Sequence, residues 1–256
     1  MKILFVGSNK IGHACCEALI RTGVEVAAVL TMQQKFDISY AKEKGVTNVL
    51  HADFHVFENQ YGIPVHGTNG RLQEYMELLN NIHFDLMVVI GWYHMIPAKV
   101  RNLASKGCVG IHASLLPKYR GGAPLVWAVI NGERESGVTL FHMEDGVDDG
   151  DVVGQEAFEI GADEYIRDVL AKAEQASVRL VEKYVPRILA GDAPRIPQDP
   201  AAATVYPQRK PEDGQIDWSW DAEKIFNFIR AQSKPYPGAF TFVEGKKVTI
   251  WQADVS

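Results

Sequence analysis

Short apolar runs alternate with amphipathic stretches through the first half of the chain. Ile3 to Val6 is a continuous apolar run closed by Gly7, the pattern of a strand buried on both faces. Ile11 to Arg21 follows with helical spacing and a stop at Gly23. Val24 to Leu30 is a second strand-like run, after which the pattern loosens from Thr31 to Gln60. Gly62 to Val65 reads as a brief strand and Leu72 to Leu79 as a helix. Phe84 to Ile90 is the strongest buried-strand run and ends at Gly91; Cys108 to Ile111 is a shorter one. Strands separated by helices predict an α/β fold with a parallel sheet covered on both faces.

The middle changes character. Ala123 to Asn131 is helical and opened by Pro124. Gly137 to Met143 and Val152 to Ile160 read as strands around an acidic, glycine-containing loop, Glu144 to Asp151. A long amphipathic helix is predicted from an N-cap Asp163 to Leu189, closing near Gly191. A helix from Asp221 to Ala231 follows, then a hairpin of Ala239 to Val243 and Lys247 to Trp251 around Glu244-Gly245. The predicted organisation is a doubly wound, Rossmann-like domain over residues 1–190 with a mostly parallel sheet. Residues 191–206, rich in Pro, Ala and Asp, form a linker, and residues 207–256 a small C-terminal α+β appendage. Sites in such sheets lie at the carboxyl ends of strands where strand order reverses, which directs attention to Gly7, Gly91 and Ile111-His112.

Composition narrows this. A chain of 256 residues, 46% hydrophobic, can bury a sizeable core without disulfides or metals. The net charge of −6 argues against a broad nucleic-acid footprint. Cys15, Cys16 and Cys108 make no disulfide framework and no metal pair, and read as buried small hydrophobes in a reducing compartment. The apolar run at the N-terminus is too short for a signal peptide, and no stretch approaches the roughly 20 residues that span a bilayer. The expectation is a soluble, cytoplasmic protein with no membrane partner.

Gly7-Ser-Asn-Lys-Ile-Gly12 follows the first strand, but its glycines are too widely spaced for a dinucleotide fingerprint, and Lys-Ser/Thr does not follow Gly12. A tight strand–helix turn explains it. The eight histidines show no metal pattern: His51 and His55 are four apart but lack a third ligand, and no metal is expected. The Asp-rich run also misplaces the glycine and distal glutamate of a calcium loop. The dense segment is 107–151. His112 lies just past a strand end, and Asp148 sits in the acidic turn Gly146-Val147-Asp148-Asp149-Gly150-Asp151. A carboxylate beside an imidazole orients it and favours its charged form, so the two carry the elements of an acid–base pair. Spacing alone leaves that pairing open.

The string His112-Ala-Ser-Leu-Leu-Pro-Lys-Tyr-Arg-Gly, with Pro124, Trp127-Ala, Asn131-Gly-Glu, Gly137-Val-Thr-Leu and Asp148-x-Gly-Asp, resembles the 10-formyltetrahydrofolate-dependent formyltransferases. The likeness continues through Gly214-Gln-Ile-Asp-Trp218, Ile229-Arg-Ala231 and Pro237-Gly-Ala-Phe-Thr241. It implies that residues 1–190 are a formyltransferase catalytic domain with 10-formyltetrahydrofolate as co-substrate. In the family an amine attacks the formyl carbon and a tetrahedral oxyanion forms. The resemblance implies that His112 shuttles the proton and stabilises the oxyanion, assisted by Asp148. It places the pterin on His94, Met95 and Ile96 and on Glu144, Asp145, Gly146 and Val147, with Ser114, Leu115, Leu116 and Pro117 lining the same crevice. One departure stands out. Most members carry Asn two residues before the histidine as an oxyanion donor, and here that position is Gly110. Loss of one such donor typically costs about 10²–10³ in rate, so hydrolysis of the folate, or folate binding without catalysis, stand as alternatives.

The family's acceptors include amino sugars on nucleotides and methionyl-tRNA. The tRNA enzymes resembled use a basic loop near the first strands and a basic C-terminal domain. Here residues 31–60 hold three lysines (Lys35, Lys42, Lys44) against four acids (Asp37, Glu43, Asp53, Glu58). The tail after 207 has seven cations and seven acids, and its 50 residues are short for a full tRNA-binding barrel. Phosphate-driven affinity needs clustered positive charge. The expectation is a small amine, an amino sugar on a nucleotide carrier, with methionyl-tRNA as the alternative. The hairpin with Phe240 and Trp251 has two readings, a homodimer contact and ordinary core packing.

Overall fold

The computed structural model describes residues 1–36 and 46–255. Four charged residues of the loosened segment, Asp37, Lys42, Glu43 and Lys44, lie outside the described residues. The elements in chain order begin with β1 (Lys2–Gly7), α1 (Lys10–Arg21), β2 (Glu25–Met32), β3 (Lys35–Phe36), β4 (Val46–Thr47), α2 (Val56–Tyr61) and β5 (Val65–Thr68). Then come α3 (Met76–Asn81), β6 (Leu86–Ile90), α4 (Ala98–Arg101), β7 (Cys108–His112), β8 (Arg120–Gly121) and α5 (Pro124–Ile130). The chain continues through β9 (Glu135–His142), β10 (Val152–Glu159), α6 (Ile166–Ala190), β11 (Val205–Tyr206), α7 (Ala222–Gln232), β12 (Ala239–Val243) and β13 (Lys246–Ile250).

Among the described residues the main sheet has seven strands in the order β10-β9-β7-β6-β1-β2-β5. The pairs from β7 through β6, β1 and β2 to β5 are parallel; β9 runs antiparallel to β7, and β10 antiparallel to β9. Continuous apolar runs form β1 and β6 because both of their faces are covered. Ile3, Phe5, Leu86 and Val88 join one core with α1, α5 and α6, while Leu4, Val6, Met87 and Val89 join the other with α4. Successive strands leave β1 toward β5 on one side and β6 toward β10 on the other. The order reverses between β1 and β6, the point beside which doubly wound sheets generally bind ligands.

The first turn is closed. Asn9 caps α1 through its side-chain oxygen, which accepts from Gly12 N at 2.8 Å. A Cβ at Gly7 or Gly12 would come within 2.7 or 2.5 Å of the Ile90 carbonyl oxygen, so both glycines serve close packing against β6. In the C-terminal part, Ile216, Phe228, Ile229 and Ala239 form a small core that packs on Ile130 of α5.

Several elements differ from the sequence expectation. Gly62 is the left-handed C-cap of α2, a helix the loose pattern did not announce, and β5 begins only at Val65. The stretch after Arg71 opens as a 3₁₀ turn, Leu72–Tyr75, before α3. The long helix is capped by Tyr165 and not Asp163: the Asp168 carboxylate accepts from Tyr165 N at 3.1 Å. A carboxylate one turn inside the helix reaches back to the N-cap N–H, the reciprocal half of a capping box. Its predicted end holds, with Gly191 left-handed. His51 and His55 share no helix face: His51 Nε2 meets the Met32 carbonyl, and His55 precedes α2. Among the described residues no helix is long and apolar enough to cross a membrane.

Candidate active site

β7 carries His112 to the carboxyl end of the sheet, where the side chain is nearly buried. Its ring is fixed on one side by a 2.7 Å contact from Nε2 to the Tyr119 carbonyl oxygen. On the other side Nδ1 faces Asp148 Oδ2 at 3.5 Å. Both ring nitrogens thus face oxygen atoms. Asp148 Oδ2 also accepts from Gly121 N at 2.8 Å. The structure therefore brings together two residues 36 positions apart that spacing left unpaired.

The backbone around this pair is strained. Tyr119, Ala123 and Asp148 have φ values of 58°, 49° and 52°, the left-handed region that non-glycine residues avoid. Such conformations cost of order 1–3 kcal/mol each and cluster where function over-determines the chain. Gly121, between them, has φ 93°, and a Cβ there would lie 2.3 Å from the Tyr206 carbonyl oxygen.

The segment 113–117 is pinned from below by the antiparallel strands. The Thr139 hydroxyl donates to the Ser114 carbonyl at 2.6 Å and accepts from Leu116 N at 3.1 Å. Gln155 donates to the Leu116 carbonyl at 2.7 Å, Leu115 packs over Gly137, and the Ser114 hydroxyl donates to the Lys118 carbonyl. Pro117 accepts at its carbonyl from Thr204 N.

The other two predicted groups meet through a residue the sequence did not single out. Arg101, nearly buried on α4, donates to the Ile96 carbonyl at 2.6 Å and pairs with the Asp145 carboxylate. It thereby ties the loop after β6 to the loop after β9. Ile96 is buried in the core, whereas Met95 is 57% and Val147 53% exposed. His94 turns toward Gly70, Met32 and Phe36; burial, then the nearby Arg71, lowers its pKa. Glu144 and Asp151 share Arg195. Trp92 Nε1 and His94 Nε2 are buried with no hydrogen-bond partner among the described residues. No group of three His, Cys, Asp or Glu gathers as a metal site among the described residues.

Gly110 lies one strand position pair below His112, and the space beside it is filled. A Cβ there would meet Met143 Sδ and the Val89 carbonyl oxygen at 3.2 Å. The methionine occupies the direction a side chain at 110 would take.

Residues that sequence reasoning missed come largely from segment 191–206. β11 pairs in parallel with β8, Thr204 accepts from Tyr119 N and Arg120 N, and Gln198 bridges Arg120 to the Asp148 turn. Tyr206 stacks on Tyr119 with centroids 4.8 Å apart, and Asn131 donates to both hydroxyls. Burial, then a 2.6 Å bond to Glu133, raises the Tyr119 phenol pKa. Only the polar, proline-rich composition marked this stretch, and composition does not say what a segment touches.

Family-model comparison matches residues 1–185 to "Formyl transferase" and residues 209–256 to "Formyl transferase, C-terminal domain". The methionyl-tRNA formyltransferase of Citrifermentans bemidjiense is 35% identical over 257 aligned residues, which cover 100% of this chain and 79% of the relative. Among solved structures, a 4-N formyltransferase from Francisella tularensis superposes with a TM-score of 0.75 at 22% identity, over 100% of this chain and 98% of that one. An N-formyltransferase from Helicobacter canadensis, in complex with folinic acid and dTDP-3-aminofucose, gives 0.72 at 19% identity, over 97% and 86%. At these identities the structural likeness speaks for the fold.

Proposed function

The chain belongs to the 10-formyltetrahydrofolate-dependent formyl transferase family, and from that premise we propose that its acceptor is a small primary amine, an amino sugar on a nucleotide carrier. The observation that carries the choice is charge at the mouth of the crevice. The rim loop presents Glu144, Asp145 and Asp149 to solvent around Asp148. Arg195 and Arg101 neutralise part of the charge on Glu144 and Asp145, and what remains opposes a long phosphate backbone more than the two phosphates of a nucleotide carrier. The tail holds equal numbers of cations and acids and so carries no net positive charge.

10-Formyltetrahydrofolate supplies the formyl group, which passes to the acceptor nitrogen as the bond from the formyl carbon to N10 breaks. The loops tied by Arg101 hold the pterin. Tyr119 anchors Nε2 of His112, so the Nδ1 edge, facing Asp148, is left for proton exchange. His112 with Asp148 takes the proton from the attacking amine and returns it to the departing nitrogen. His112 in its charged form also stabilises negative charge on the formyl oxygen, a role that matters more where Gly110 offers no side-chain donor.

A second reading, methionyl-tRNA as acceptor, is favoured by the 35% identical relative and its like. The test compares tetrahydrofolate release with dTDP-linked amino sugars and with initiator methionyl-tRNA across salt concentrations. Turnover with an amino sugar that is insensitive to salt supports the proposal. Steeply salt-dependent turnover with the tRNA alone reverses it. Equal release with and without any amine makes the protein a hydrolase, and no release with any of them a folate-binding protein.

A further inference from the structure

Asp148 stands on an exposed, acid-rich turn in a left-handed conformation its residue type does not favour. It lies between β9 and β10, outside any regular element. One restraint is the bond from Gly121 N. The other comes from Gln198, fifty residues further along the chain. The Gln198 amide nitrogen donates to the carbonyl oxygens of Asp148 at 2.9 Å and Gly150 at 2.7 Å. Its amide oxygen accepts from Arg120 Nε at 3.2 Å and from a terminal guanidinium nitrogen at 2.7 Å. Arg120 directly precedes Gly121, the residue that binds the Asp148 carboxylate. One side chain therefore joins the two loops that meet at His112, and it does so with both ends of an amide. A carboxylate of the same shape would keep the cation but set an acceptor against two carbonyl oxygens. Thr204 and the β8–β11 pairing hold the Tyr119–Gly121 segment independently, so loss of Gln198 frees the Asp148 turn in particular.

We infer that Gln198 is a positioning residue for formyl transfer, setting the approach of Asp148 to His112 without touching the reactants. The inference rests on the reading that His112 and Asp148 move the proton.

The experiment compares the full-length parent with Gln198→Ala, Gln198→Glu, Asp148→Ala and His112→Ala. Two readouts are taken: ring ¹⁵N shifts of His112, and tetrahydrofolate release with dTDP-3-aminofucose or methionyl-tRNA. Displacement of a reacting group by about 1 Å costs on the order of 10²-fold, so kcat is expected to fall about 10- to 100-fold in both Gln198 variants, with KM for the folate changed by less than about 3-fold. The His112 ring shifts should move toward those of Asp148→Ala, and the Glu variant should be no better than the Ala variant. Ring shifts identical to the parent in both Gln198 variants, beside altered shifts in Asp148→Ala, overturn the inference, as does kcat within about 2-fold of the parent. Where Gln198→Ala does not fold, the isosteric Glu variant decides by the same criteria. Unchanged turnover in His112→Ala and Asp148→Ala instead breaks the underlying reading of the pair.

Discussion

Two strand ends of the same sheet make an instructive contrast. The turn after β1 occupies the position where nucleotide-binding sheets cradle a phosphate, yet it is sealed. Asn9 spends its side chain on the cap, Ser8 is fully buried with its hydroxyl on the Gly91 carbonyl, and both glycines serve contact with Ile90. The loop after β7 is the reverse. Three non-glycine residues in and facing it are left-handed, and its restraints come from β9, β10 and a segment some 80 residues away. Both ends are restrained by residues distant in the chain, Gly91, Asn48 and Leu50 at the first and Thr139, Gln155 and Thr204 at the second. What differs is that the first is closed by glycines and a cap, whereas the second holds non-glycine residues in the left-handed region.

The sharpest way to break this contrast is at the pair itself. His112→Ala and Asp148→Ala should each lower formyl transfer by about 10²–10⁴-fold while folate binding, followed by fluorescence titration, persists. Turnover at the parental rate in both variants would show that the loop after β7 is as structural as the turn after β1.

The donor missing at position 110 offers a second test. Gly110→Asn alone forces Met143 and the Val89 carbonyl to give way, and a lowered Tm with no gain in rate is expected. Gly110→Asn combined with Met143→Ala opens space for the amide, and kcat should exceed that of Met143→Ala by about 10-fold or more. No gain in the double variant would mean that the oxyanion is met elsewhere.

Glycine substitutions compare the two ends directly. Gly121→Ala puts a Cβ on the Tyr206 carbonyl at an unfavourable φ and should lower kcat per folded molecule about 10-fold. Gly12→Ala overpacks against Ile90 and should cost about 1–3 kcal/mol in denaturant melts, with kcat per folded molecule unchanged. Equal effects on kcat would erase the distinction.

The smallest effect is on pH. Burial lowers the pKa of His13, stacked on Phe57 in the sealed region, and burial also lowers His94 and His142 on the open side. The unfolded chain takes up protons first, near the ordinary histidine value of about 6.5. The stability these groups contribute is therefore complete above that pH and is lost as pH falls through the lowered folded values. Thermal melts from pH 7.5 to 5 should show this decline, and His13→Phe should flatten it in part. A Tm that rises on acidification would contradict the assignment.

Legibility followed range. Ile3 to Val6 and Phe84 to Ile90 announced β1 and β6 because strands buried on both faces need unbroken apolar runs. His112 and Asp148 were readable through a long, ordered motif. Gln198 and Thr204 were not, since one amide or hydroxyl in a polar stretch carries no periodic signal. Arg101 was hidden for the same reason: it reads as a surface cation until α4 places it between the loops after β6 and β9.

By itself the sequence determined the family, the doubly wound sheet and the two residues on which the chemistry is proposed to rest, because apolar periodicity and a contiguous motif are local properties of the chain. Only the tertiary structure decided that Asp148 reaches His112, that Met143 fills the space beside Gly110, and that segment 191–206 belongs to the site. Each of these depends on which atoms meet across 30 to 90 residues, and no spacing along the chain encodes such a meeting.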